Sequence, residues 1–189
     1  MPETKPELHR FPEATELPLI HYRGAVAPEG KAHGSAPAKT FEQLFARNGW
    51  PVAWRNGIYP YHHFHATAHE VLGIAAGHAS VRFGGESGPV VEVRAGDVVV
   101  IPAGVAHCNL GASPDLLVVG AYPGGRGPDL NKGTPADHPE ARAKVKKVAL
   151  PEADPVYGSD GPLIRHWARR KAIDFPAHRW SLASPDTCI

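Results

Sequence analysis

The chain has 189 residues, with 20 lysines and arginines against 19 aspartates and glutamates, so it fits one ordinary domain and carries no field of a single sign. That balance argues against nucleic acid and against acidic membrane surfaces as partners. Its two cysteines, Cys108 and Cys188, form neither a CxxC pair nor the dense spacing of a stapled secreted domain, so a reducing cytoplasm is expected. Met1-Pro2-Glu3-Thr4-Lys5 leads into proline and charge instead of an apolar signal core, and no stretch reaches the roughly 18 apolar residues of a membrane span. The composition departs from average in 20 glycines, 20 prolines and 12 histidines beside a single methionine, which imply many turns and several candidate metal ligands.

Residues 1–37 are proline-rich and weakly periodic, with one strand expected at Leu17 to Tyr22, and read as an arm outside the core. A helix follows over about 40–48: Thr40 and Gln43 have capping-box spacing, Phe41, Leu44 and Phe45 give an apolar face, and Asn48-Gly49 offers a left-handed stop. From Val52 the pattern changes to short runs of valine, isoleucine and aromatics cut by glycine and proline. Strands are expected near 52–56, 60–66, 69–75, 78–83, 89–94, 97–101, 105–110 and 116–122. Phe83 to Gly88 reads as a hairpin loop and Ala95-Gly96-Asp97 as a tight turn. Many short strands within about seventy residues suit a small antiparallel barrel or jelly roll, an all-β architecture occupying 38–123 with its preceding helix. Residues 124–189 form a C-terminal extension with one helix expected over Pro139 to Val148, and are read as an extended tail laid on the barrel or on a neighbouring subunit.

His63 and His65 are two apart in an expected strand, so both imidazoles project from one face, as neighbouring metal ligands must. Glu70, on the next strand, would add a hard oxygen donor and neutralising charge to a nitrogen-rich site. Far downstream, the run Gly96 to His107 passes two turn-forming glycines and Pro102 before ending in a fourth candidate ligand that barrel closure could bring opposite the first pair.

At these residues the chain resembles the cupin superfamily. Gly57, His63, His65, Glu70 and Gly77 match that family's first motif without a gap, and Gly96, Pro102, Gly104 and His107 match the second; the asparagine that ends the second motif is replaced by Gly111. The resemblance covers about 57–123. The stretch Trp54 to Pro60, with His69-Glu70-Val71-Leu72-Gly73, is similar to a group of small single-domain bacterial cupins of unassigned activity. The resemblance implies a double-stranded β-helix barrel (jelly roll) in which His63, His65, Glu70 and His107 bind one divalent transition metal per chain: manganese, iron, nickel, copper or zinc.

Strand alternation turns His62 and Cys108 away from this set and leaves His69 at a strand boundary, so none of the three is expected as a ligand. Arg55, Tyr59 and Tyr61 share odd parity with His63 and His65. An unbroken strand would aim them into the barrel, where the guanidinium fork could grip a small acid; a salt bridge to a surface carboxylate is the alternative for Arg55. The expected function is a metalloenzyme acting on a small oxygenated or carboxylate-bearing molecule, as a dioxygenase, decarboxylase or isomerase. A non-catalytic metal- or small-molecule-binding module is the alternative. A homodimer is expected, with the Leu17 to Tyr22 arm pairing across a two-fold axis.

Overall fold

The computed structural model describes residues 3–27 and 35–168; the basic run Arg169-Arg170-Lys171 and Cys188 lie outside the described residues. The strands are β1 (Glu7–His9), β2 (Leu19–Tyr22), β3 (Val52–Asn56), β4 (His63–Phe64), β5 (Glu70–Ala76), β6 (His78–Phe83), β7 (Val90–Arg94), β8 (Val98–Ile101), β9 (His107–Ala112), β10 (Leu117–Ala121) and β11 (Asn131–Lys132). The helices are α1 (Ser35–Arg47), α2 (Pro139–Val145) and α3 (Pro162–Ala168). The strands form two antiparallel sheets, ordered β1-β2-β8-β5-β10-β3 and β11-β4-β9-β6-β7. The result is the expected mostly-β jelly roll, built as a sandwich of two sheets and not as one continuously hydrogen-bonded barrel.

Alternation along each strand assigns the side chains to two cores. In β8, Val99 and Ile101 join Leu72 and Ile74 of β5 and Val81, Phe83, Val91 and Val93 of the other sheet, filling the space between the sheets. Val98 and Val100 point the other way, with Val71, Ala75, Val119 and Ala121, and meet Phe41, Leu44 and Phe45 of α1 and Leu163 and Trp167 of α3. The larger sheet is thus buried on both faces at β2, β5 and β8, which is why these strands lack polar alternation. The helix face is close-packed: a Cβ on Gly73 would stand 2.4 Å from the Phe41 ring.

Four sequence expectations change. Helix α1 begins at Ser35, so Thr40 lies inside it instead of capping it, and Pro37 falls in the first turn, where a missing N–H costs nothing. The N-terminal segment is not wholly an arm, because Leu19, Ile20 and Tyr22 are fully buried. Strand β2 pairs with β8 of its own chain, His21 opposite Val99, so the edge proposed for pairing across a two-fold axis is already taken. Residues 150–168 are laid on the sandwich, one of the two expected alternatives, but not extended, since Pro162–Ala168 is helical: Trp167 is buried and donates from Nε1 to Pro18 O at 2.9 Å, and Tyr22 Oη donates to the buried Asp154 carboxylate. No helix of the described residues is long and apolar enough to cross a membrane.

Candidate metal centre

Three backbone arrangements bring the distant motif residues together. His63 on β4 lies directly opposite His107 on β9, so their side chains leave the same face of the sheet with ring centroids 4.1 Å apart. The Pro102 to Gly104 turn returns the chain, Gly104 at φ +88°, and the Gly104 N–H donates to His65 O at 2.8 Å, tying the second motif to the first. Glu70 opens β5 with the parity of Leu72 and Ile74, so its carboxylate enters the space between the sheets. All four side chains are buried, and one ring nitrogen from each of His63, His65 and His107 lies within 4.8 Å of the others. Glu70 Oε2 is 3.4 Å from Nε2 of both His65 and His107.

The hydrogen bonds around this set fix which atoms face inward. Nδ1 of His63 lies 3.2 Å from Tyr61 O, Nδ1 of His65 2.5 Å from Asp129 O, and Nδ1 of His107 3.3 Å from Val105 O. A carbonyl only accepts, so each Nδ1 carries a proton, and the neutral form of each imidazole keeps its lone pair on Nε2. Tyr122 Oη donates to Glu70 Oε1 at 2.8 Å and accepts from Trp54 Nε1 at 2.9 Å, whereas Glu70 Oε2 is buried with no hydrogen-bond partner. Burial, then the neighbouring His107, brings the His63 imidazole down to about 4, so it is neutral near pH 7. Burial works to raise the Glu70 carboxyl, but His107 and His65 outweigh it and hold the group well below the usual carboxylate range. For His65 burial works downward and Glu70 outweighs it, raising the imidazole. An orphaned carboxylate oxygen beside the Nε2 atoms of His65 and His107, with His63 completing the histidine cluster, fits a divalent transition metal: the donors on offer are three nitrogens and one oxygen, and each is oriented from behind.

The site opens into a cavity of about 300 Å³ walled by Trp54, Ile58, Tyr59, Leu72, Tyr122, Asp129 and Leu130. Tyr59 stands at its mouth, 47% exposed, with Tyr61 stacked on it at 5.0 Å and in edge contact with His63. Arg55 is elsewhere. It lies opposite Val119, whose side chain belongs to the helix-facing core, and its Nε donates to Glu42 Oε1 on α1 at 2.5 Å. Residues 57–62 are not in strand, so β3 and β4 keep independent registers, Arg55 does not share the face of His63 and His65, and Trp54 and Asn56 face the cavity instead.

His69 is buried but turned from the cluster. Its Nδ1 accepts from Ala103 N–H at 2.9 Å and its ring lies against Trp167 at 4.7 Å. His62 pairs with Glu86 at 3.5 Å, and the buried Cys108 follows His107 on the opposite face. Sequence reasoning missed Trp54, Tyr122 and Asp129. Tyr122 had a signal, since it shares parity with Val118 and Gly120 at the end of an expected strand; Asp129 had none, as it sits in a loop.

A family model described as Cupin matches residues 52–124. The uncharacterized protein YjlB of Bacillus subtilis (strain 168) is 40% identical over 164 residues, covering 87% of this chain and 94% of that protein. Among solved structures, acireductone dioxygenase from Bacillus anthracis, with a cadmium ion in its active center, aligns at TM-score 0.38 and 17% identity over 61% of this chain and 80% of that one. An 11S globulin from Wrightia tinctoria aligns at TM-score 0.33 and 22% identity over 41% of this chain, which spans 21% of the globulin's length.

Proposed function

Because the chain belongs to the cupin family, we propose that its inter-sheet cavity is a metal centre in which His63, His65, Glu70 and His107 hold one divalent transition-metal ion and act on a small oxygenated molecule. The observation that carries this reading is Glu70 Oε2, a buried carboxylate oxygen without a hydrogen-bond partner, 3.4 Å from two imidazole Nε2 atoms. Leaving such an oxygen unsatisfied costs about 1–3 kcal/mol or more, and a cation at that position removes the cost. Manganese, iron, nickel, copper and zinc all accept this donor set, and any of them would supply Lewis acidity, with oxygen activation added for the redox-active ones. Dioxygenase, decarboxylase and isomerase chemistry are the reaction classes that follow.

The chain's own residues bind and orient. Tyr122 holds Glu70 Oε1, Asp129 O holds His65, and the apolar walls of Ile58, Leu72 and Leu130 exclude water. With Arg55 engaged by Glu42, no lysine or arginine among the described residues lines the cavity, so a neutral oxygenated molecule is favoured over a carboxylate. A non-catalytic binding role is the second reading. It is favoured by the prior engagement of the proton carriers: Tyr122 by Glu70 and Trp54, and the Asp129 carboxylate by Ala66, Thr67 and Asn131. The test is metal analysis of untagged protein, stripped with chelator and reloaded. His65→Ala and His107→Ala should each carry one ion per chain fewer than the parent, and equal metal content in parent and variants would overturn the reading. Product analysis of small-molecule mixtures incubated with the loaded parent and with His65→Ala separates turnover from binding alone.

A further inference from the structure

A second group of ligand-type side chains lies at the opposite edge of the larger sheet. Glu7 and His9 are two apart on β1 and share a face, and the β1–β2 register sets Glu7 directly opposite His21. One ligand atom from each of the three lies within 4.8 Å of the other two. The row continues across the sheet from His21 to Val99 and Leu72, so β8 and apolar side chains stand between this cluster and Glu70. It is a separate location.

Buried atoms without hydrogen-bond partners occur here as they do at Glu70. His21 is fully buried, and its Nε2 lies 3.0 Å from Oδ2 of Asp97, a 1% exposed carboxylate that also accepts from the Gly24 and Arg94 N–H groups. Asp97 thereby fixes the proton on Nε2 and aims the other nitrogen, Nδ1, at Glu7 Oε2, 3.8 Å away, which is too long for a hydrogen bond. His21 Nδ1 and His9 Nε2 are both buried atoms without a hydrogen-bond partner. Glu7 is divided in the same way: Oε1 accepts from Arg23 Nε at 2.6 Å, leaving Oε2 toward the histidines. Two orphaned imidazole nitrogens and one carboxylate oxygen converge, with a buried carboxylate holding the far side of one imidazole.

We infer that Glu7, His9 and His21 form a second metal site, for a zinc-type divalent ion, that joins β1 to β2. Two imidazoles and one carboxylate are a zinc donor set, and with Glu7 at the surface the fourth position opens to water. Donors that now stand up to 4.8 Å apart would draw in to the roughly 3.3–3.6 Å implied by zinc bonds of about 2.0–2.2 Å. Edge strand β1 is short enough to make that movement. The Asp97–His21 pair is the arrangement that orients ligating histidines in zinc sites.

The experiment compares zinc content of untagged parent, His9→Ala and Glu7→Gln, each stripped with chelator, dialysed against zinc and measured by elemental mass spectrometry, with circular dichroism as the folding check. His9→Ala should lose one zinc ion per chain relative to the parent, and Glu7→Gln should bind that ion at least about tenfold more weakly. A His65→Ala/His107→Ala background, which lacks the barrel ligands, should still take up one zinc ion that His9→Ala removes. Failure of the barrel proposal would appear as a parent binding a single ion that His9→Ala abolishes. Failure of this one would appear as unchanged zinc content in His9→Ala.

Discussion

At Glu70 the two carboxylate oxygens have different surroundings, and the difference is testable. Oε1 accepts the Tyr122 hydroxyl, while Oε2 has only two imidazole nitrogens before it. Tyr122→Phe keeps the ring against His65 but removes the donor behind Glu70, so metal affinity should fall about 10- to 100-fold with the fold retained, as competition with a chelating dye would measure. His69 offers a test by pH. Burial brings its pKa down to about 4 from the ordinary 6.5. Below pH 6.5 the unfolded chain takes up a proton that the folded chain refuses until about pH 4, so this residue removes stability as pH falls through that window. The stability difference between the parent and His69→Gln should therefore shift against the parent by on the order of 3 kcal/mol between pH 7.5 and pH 4.5. Urea midpoints at the two pH values read it, and a constant difference would mean that His69 titrates normally.

Among the elements, β10 and β5 each carry a glycine whose missing side chain makes room for an aromatic ring, but on opposite faces of one sheet. A Cβ on Gly120 would stand 2.0 Å from the Trp54 ring in the cavity wall, and one on Gly73 would stand 2.4 Å from Phe41 on α1. Both alanine variants should lose about 1–3 kcal/mol by overpacking. Only Gly120→Ala should also weaken metal retention, because Trp54 is the donor to Tyr122. Thermal melts paired with metal analysis separate the two faces. Strand identity was legible from alternating apolar runs, as in β6, expected and found at 78–83. The register of β3 against β4 was not, since 57–62 break the alternation and side-chain direction past such a break depends on pairing with other strands.

For the whole molecule, the chain beyond the sandwich matters more than its proline-rich composition suggested. Trp167 is 1% exposed, packs on His69 and donates to Pro18 O, so α3 joins the N-terminal segment to the helix-facing core. Trp167→Ala should cost about 3–5 kcal/mol, seen as a lower urea midpoint, while leaving the ligand atoms in place. If the variant were as stable as the parent, the C-terminal segment would be an appendage after all.

Local matters were legible in the residues alone: short strands between glycine and proline turns, the same-face relation of His63 and His65, and the matched spacings that singled out Glu70 and His107. Whatever depends on contacts between distant segments was set by packing. Packing turned Arg55 to Glu42 and Trp54 to the cavity, put Tyr122 behind Glu70, and gathered Glu7, His9 and His21 around orphaned nitrogens. The physical reason is that residue type and period fix a side chain's face within one element. Which face becomes interior is set by what packs against it, and in this chain those partners arrive from the far ends.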